Sequence, residues 1–341
     1  MQIFDEKIPM IVQTSNGNRN IEDVIPGDTI YDIDGNLHEV LDTVDSDKED
    51  VYRIIYSDRR IDYYRGSELF VCNNKIGPVK DIYLRKIDVS LRKAFRQRPI
   101  DYCNSSVDQR GFWRDPYIDP YTTGVLLTYG DFNDPNMNLP LYRTTINNYF
   151  TNKYNLNYAK FGKLPKVYYT YNGLKEPIQW KDFFENINTE DTCEFQYEYS
   201  RSSLYDRWKF IRGVFDFGNV DDEFFIKIGH HDEKRLFMVQ KMLWSLGIIS
   251  SVTYDPHDMP NGWKYSLTIT DISADKTMFF YDEHKLRHLI ANYQGLLKLH
   301  DDHWVGITEI RKYAVGYSKK ILFKKRNVQF LTDNFLSRLS M

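Results

Sequence analysis

Two apolar segments, YTTGVLLTYGDF at Tyr121–Phe132 and FIRGVFDFGNV at Phe210–Val220, constrain the fold more than any other stretch. Each sets a glycine inside a helical register and closes on a turn. Asp119 and Pro120 supply an N-cap and a first helical residue for the earlier one, since a capping carboxylate accepts a free amide and proline presets φ. Gly124, Val125, Leu126, Leu127, Thr128, Tyr129 and Gly130 follow in order. In the later segment the run is Gly213, Val214, Phe215, Asp216, Phe217, Gly218 and Asn219. Taken alone, each reads as an amphipathic helix that ends in glycine. The downstream context ties them together: after the second, FFIKIG reads as a strand, and DEKRLFMVQKMLWSLGI as a helix capped by Asp232 and stopped at Gly247. Leu236, Val239, Leu243 and Leu246 form its apolar stripe. SSVTYD and KYSLTIT then make a strand pair around the turn-rich HDMPNG, while TTINNYFTNKY and KVYYTYN read as the helix and strand that match after the first segment.

This order resembles the LAGLIDADG homing endonucleases over residues 99–304. In that family two such helices pack together and each ends in an acid that holds a divalent metal over a scissile DNA phosphate. In this register the acid's place falls on Tyr129 in the first copy and on Gly218 in the second, so both carboxylates are missing. Asp216 stands two positions early, which is about 200° of helical rotation away from the required direction. A neutral phenol is a poor Mg²⁺ ligand and glycine offers none. Substitute acids are Asp131, past Gly130, together with Asp216, Asp221 and Asp222. Mg²⁺ enters as a cofactor only if one of these rescues cleavage; otherwise the expectation is no cofactor and no metal. Gly124, Thr128 and Gly213 are the helix-packing residues. Phe217 occupies the small-residue position, where its bulk is expected to force the helices apart or turn the register.

The flanks resemble the splicing (Hint) domain of inteins. IEDVIPGDTIYDIDGNLHEVLDTV at Ile21–Val44 matches a Gly-Asp turn before a strand and an Asp-Gly turn closing a hairpin. VYRIIYSDRRIDYYRGSELFVCN continues as the next hairpin, and KKRNVQFLTDNFLSRLSM resembles the terminal strands. The resemblance implies an α+β chain: a β-rich Hint-like domain formed by both chain ends, residues 1–98 and 305–341, around an inserted two-fold pseudo-symmetric αββαββα domain at 99–304. Splicing in that family needs an amino-terminal Cys or Ser, a Thr and His in the second hairpin, and a terminal His-Asn before a nucleophile. The segment begins at Met1, and the first cysteine is Cys72. Tyr64 and Ser67 take the Thr and His positions, and Arg338 and Leu339 take those of His-Asn. No imidazole is left to protonate a leaving amide. Ser340 alone keeps the downstream chemistry, and a serine there reads as residual.

Charge separates the remaining function classes, because duplex DNA binding usually rests on a basic face that releases counterions. The net charge is −3, and residues 101–304 hold 22 Lys and Arg against 28 Asp and Glu. This disfavours nucleic acid as a partner without excluding a local basic groove. Lys319, Lys320, Lys324, Lys325 and Arg326 crowd the last segment but would alternate over both faces of a strand. Cys72, Cys103 and Cys193 are odd in number and lack ligand spacing, which points to a reducing compartment. No apolar run approaches a membrane span. His284 and His288 share a helical face, His300–His303 and His230–Asp232 form small polar clusters, and each reads as a surface group or cap. With 26 tyrosines on an acidic chain, the composition suits protein recognition. The resulting expectation is a catalytically inactive binding or structural protein, intracellular or in a virion, whose most concrete form is a capsid, tail or baseplate component with viral structural proteins as partners. The alternative is a DNA-binding LAGLIDADG endonuclease, impaired or using the substitute acids.

Overall fold

The computed structural model describes residues 5–8, 10–72, 75–84, 93–96, 100, 120–129, 137–140, 148, 157–161, 166–170, 202–216, 219–220, 226–254, 263–269, 279–280, 304–325, 328–334 and 336–340. The chain divides into two compact units, one of Met1–Asp108, Trp244–Ser251 and His300–Met341, the other of Gln109–Leu243 and Val252–Leu299.

The first unit is strand-rich and joins both ends of the chain. Its longest strand, Trp304–Tyr317, pairs antiparallel with Glu49–Tyr56, parallel with Asp5–Lys7, and also with Lys93–Arg96; Ile61–Arg65 lies beyond Glu49–Tyr56. A second five-stranded sheet runs Lys319–Phe323, Leu37–Asp45, Thr29–Tyr31, Ile11–Thr14, Gly17–Asn20. The Asp-Gly turn read from the sequence closes this second sheet's hairpin. Gly35 sits at φ 80, and Asp32 Oδ1 accepts the amides of Asp34 and Asn36 at 2.8 and 2.9 Å. Burial opposes ionisation of Asp32, but the bonds from His38, at 2.7 Å, and from Asn36 and Asp34 outweigh it and hold the carboxyl below its ordinary value. Apolar alternation along the strands fills two cores. One gathers Ile54, Tyr56, Tyr64, Phe70, Val305 and Ile307, with Val79 and Ile82 of the short helix α1 (Val79–Leu84). The other gathers Val12, Val24, Ile30, Val40, Ile321 and Phe330. Asp58 and Arg60 form a buried ion pair at 2.6 Å, and the Arg60 guanidinium stacks 4.6 Å from the Trp244 ring while donating to the Asn334 carbonyl.

The second unit carries helices α2 (Pro120–Tyr129) and α3 (Leu204–Phe215). α3 begins at Ser203, whose hydroxyl accepts the Asp206 amide at 3.1 Å, the local reason the helix starts there. A three-stranded antiparallel sheet, Met137–Pro140, Lys166–Thr170, Asn157–Phe161, follows α2 in the chain. A four-stranded one, Asn219–Val220, Ile226–His230, Tyr265–Ile269, Ser250–Tyr254, follows α3. The expected strand KVYYTYN is present as Lys166–Thr170, whereas TTINNYFTNKY, apart from Asn148, lies outside the described residues. Helix α4 (Glu233–Ser245) has the expected limits: Asp232 accepts the Lys234 amide, and Gly247 takes φ 78 beyond its end. Leu236, Val239, Leu243 and Leu246 are all buried. No helix among the described residues is long and apolar enough to cross a membrane.

His230 is part of the α4 entry, its Nδ1 accepting the Asp232 amide at 2.8 Å. Burial and then the neighbouring Arg235 charge hold its pKa down at about 4, against an ordinary 6.5. The unfolded chain therefore binds a proton that the folded one refuses between those values. The associated stability is complete above pH 6.5 and is lost as the pH falls towards 4. Urea midpoints across this window should decline less steeply in His230→Asn, whose amide oxygen accepts the same backbone N–H; an unchanged slope would contradict the assignment.

Candidate functional site

In the second unit the two glycine-bearing helices meet backbone to backbone. A Cβ placed on Gly124 would run into the Phe210 carbonyl oxygen and lie 2.9 Å from Val214 N and 3.1 Å from Gly213 Cα. One on Gly213 would run into the Tyr121 carbonyl and lie 2.9 Å from Val125 N. Thr128 turns its hydroxyl onto the Gly124 carbonyl at 2.7 Å, so it projects no polar group that needs another partner. Tyr121, Val125, Leu127, Phe210, Ile211 and Val214 are buried around the crossing.

The effect expected of Phe217 on the helix pair falls outside the described residues. α3 ends at Phe215, and Asp216 is its C-cap, with its amide donating to Arg212 O at 2.9 Å. Phe217, Gly218, Asp221 and Asp222 lie outside the described residues. Asp131 lies outside them too, and Tyr129 is described only as the backbone that ends α2. Asp216 is fully buried and accepts a 2.6 Å hydrogen bond from the Tyr121 hydroxyl across the helix pair. A desolvated carboxylate committed to a phenol is poorly placed to complete the octahedral, water-rich shell Mg²⁺ prefers. Among the described residues no group of three His, Cys, Asp or Glu side chains is arranged to hold a metal.

In the first unit, the positions assigned to splicing form a closed ionic cluster. Arg338 is 1% exposed; its Nη1 donates to Glu68 Oε1 at 2.5 Å and its Nη2 to Asp62 Oδ1 and the Tyr63 carbonyl, both at 2.6 Å. The guanidinium lies 3.6 Å from the Tyr64 ring centroid. Burial penalises the Arg338 charge, but Asp62 and Glu68 outweigh that penalty and hold it firmly protonated. Tyr64 packs edge-on against Phe70, and its hydroxyl meets that of Tyr56 at 3.2 Å. Burial, reinforced by Tyr56 and Asp62, drives the Tyr64 phenol well above its ordinary pKa, so it stays neutral.

Ser67 spends its hydroxyl and its amide on Glu49, at 2.5 and 2.7 Å. Leu339 pairs with Gln329 in a two-stranded ribbon. Ser340 has a structural part in the same ribbon, its Oγ accepting the Val328 amide at 2.9 Å while its own amide donates to the Val328 carbonyl at 2.8 Å. These partners of Tyr64, Ser67, Arg338 and Ser340 are thus carboxylates, a second phenol, aromatic rings and backbone groups, with no imidazole or thiol among them. Sequence reasoning had picked out Tyr64, Ser67 and Arg338 but missed Asp62, Glu68 and Glu49. Period-two alternation in IDYYR, which puts Asp62 and Tyr64 on one strand face, was the available signal for the first.

No protein family matches the chain, and no curated protein matches it. Solved structures similar to it include inteins and a homing endonuclease. The MchDnaB-1 intein is 16% identical over 26% of this chain and 65% of its own, with a TM-score of 0.22. The gp41-1 intein is 22% identical over 22% of this chain and 57% of its own, TM-score 0.20. The homing endonuclease I-DmoI, solved in complex with DNA and Mn, is 15% identical over 53% of this chain and 96% of its own, TM-score 0.30. The chain spans less than two thirds of the length of these inteins.

Proposed function

We propose that this chain is a Hint-like domain enclosing a pseudo-symmetric LAGLIDADG-like insertion, in which splicing and DNA cleavage have given way to binding of another protein. The observation that carries this reading is the Arg338–Asp62–Glu68 cluster stacked on Tyr64. It fills the positions where splicing needs titratable, mobile groups with a guanidinium that stays charged and a phenol that stays neutral. The buried Tyr121–Asp216 bond supports the same conclusion for metal-dependent cleavage. Tyr205, Tyr254 and Tyr313, 66%, 61% and 48% exposed, are the kind of anchor that protein partners bury. A component of a viral capsid, tail or baseplate, found inside the host cell or in the particle, is the concrete form of this role.

The chain placed between two foreign domains should keep its full mass by mass spectrometry after prolonged incubation. The same protein should leave supercoiled plasmid intact in Mg²⁺ or Mn²⁺. Ligated flanking domains, or metal-dependent nicks lost on Asp131→Asn or Asp216→Asn, would overturn the proposal. The retained backbone contact of α2 and α3 favours, as a second reading, a scaffold that still holds DNA. A gel shift whose affinity falls steeply with salt would support that reading over protein binding.

A further inference from the structure

Ser15 and Asn16 form the tight loop that joins strand Ile11–Thr14 to strand Gly17–Asn20, with Thr14 facing Gly17 across it. The base of this loop is pinned. Thr14 Oγ1 accepts the Asn16 amide at 3.2 Å and donates to the Gly17 carbonyl at 2.6 Å, while the Ser15 amide donates to the Thr29 carbonyl at 3.0 Å. The tip is not held in this way. Asn16 is exposed, and its carboxamide has no hydrogen-bond partner among the described residues.

The residue that follows is equally open. Gly17 sits at φ 125, a conformation that side chains avoid, and it carries no Cβ to shield its own amide nitrogen. Strand Gly17–Asn20 is the edge strand of its five-stranded sheet, and none of its residues is buried. Its ionic anchor, from Arg19 to Asp28 at 2.6 Å, lies beyond the tip. A strand so placed opens locally at little cost.

We propose that Asn16 is a site of spontaneous deamidation through a cyclic imide formed with Gly17. Hydroxide removes the Gly17 amide proton, and the nitrogen attacks Asn16 Cγ. One C–N bond forms, the C–N bond of the carboxamide breaks, and ammonia leaves with a proton drawn from water. The ring consists of the Gly17 nitrogen and the Asn16 carbonyl carbon, Cα, Cβ and Cγ, so rotation of an untethered side chain and the turning of one peptide bring the reacting atoms together. Water then adds to one or other imide carbonyl. The products are aspartate and isoaspartate, each of which adds a negative charge to a chain that stands at −3. Isoaspartate also routes the backbone through Cβ, and the extra methylene loosens the pairing of Thr14 with Gly17. This chemistry is independent of whether the chain splices or cleaves.

The test incubates the full folded chain at mildly acidic and mildly alkaline pH, with a parallel sample in urea, and maps the peptides by mass spectrometry. Residue 16 of the folded chain should gain about 1 Da, at a rate that rises in proportion to hydroxide and stays within about tenfold of the rate in urea. Electron-based fragmentation separates isoaspartate from aspartate. Asn18 and Asn20, exposed on the same strand but followed by Arg19 and Ile21, should remain intact, because a side chain shields the attacking nitrogen. Asn16→Gln, which would have to close a six-membered ring, should slow ammonia loss at this position by at least about tenfold. In the isoaspartate fraction, hydrogen exchange should quicken at the amides of residues 17–20. Conversion of Asn16 in urea alone, or equal conversion of Asn16, Asn18 and Asn20 in the folded chain, would overturn the site.

Discussion

Gly213→Ala should lose on the order of 2–4 kcal/mol of stability, although alanine is the better helix former by about 1 kcal/mol. The added methyl has nowhere to go, because what it meets is backbone: the Tyr121 carbonyl and, at 2.9 Å, the Val125 amide. A flexible side chain could swing aside; a helix has to translate. Moving it would open the Tyr121–Asp216 hydrogen bond and the apolar contacts around it, so the cost extends beyond one methyl. Gly124→Ala should behave alike, since its Cβ meets the Phe210 carbonyl and the Val214 amide. Gly77→Ala provides the reference, because nothing lies within 4 Å of its Cβ, and its effect should stay within about 0.5 kcal/mol. Urea denaturation of the three variants measures this directly. A Gly213→Ala midpoint indistinguishable from that of Gly77→Ala would mean the helices do not touch there.

Arg338→Met should cost about 3–5 kcal/mol, the usual consequence of removing one partner from a buried ionic group. The methionine keeps much of the packing against Tyr64. What remains is an electrostatic deficit, with Asp62 and Glu68 left without the cation that their hydrogen bonds now reach. Two further measurements separate this cause from a simple packing defect. Combining Arg338→Met with Asp62→Asn and Glu68→Gln should recover most of the loss, since no uncompensated charge remains. The deficit of the single variant should also shrink with acidification. Its orphaned carboxyls are raised in the folded state above their unfolded values, so protonation relieves the folded form first. A deficit that is flat with pH and untouched by the added substitutions would assign the loss to packing.

Elements carried by local pattern were legible in the sequence. The caps and stripe of α4, the Asp-Gly hairpin and the two internal glycines all declare themselves within a dozen residues, and each stands where its chemistry puts it. The partners of Arg338 were not legible, because Glu68 and Asp62 lie 270 and 276 positions away and meet it only through the pairing of strands. The bond from Tyr121 to Asp216, 95 positions apart, was hidden for the same reason. α3 ends at Phe215 with Asp216 as its cap, earlier than the register read from the sequence, because the cap is set by local hydrogen bonding.

The strand Trp304–Tyr317 lies between Asp5–Lys7 and Glu49–Tyr56, so this sheet lacks its central member until about 250 residues beyond Tyr56 have been synthesised. On the ribosome, the glycine-crossed helices can dock early, while the opening strands wait with unpaired edges. Closure between such distant segments is intrinsically slow. Truncation near residue 300 should therefore yield an aggregation-prone product rather than a smaller native protein.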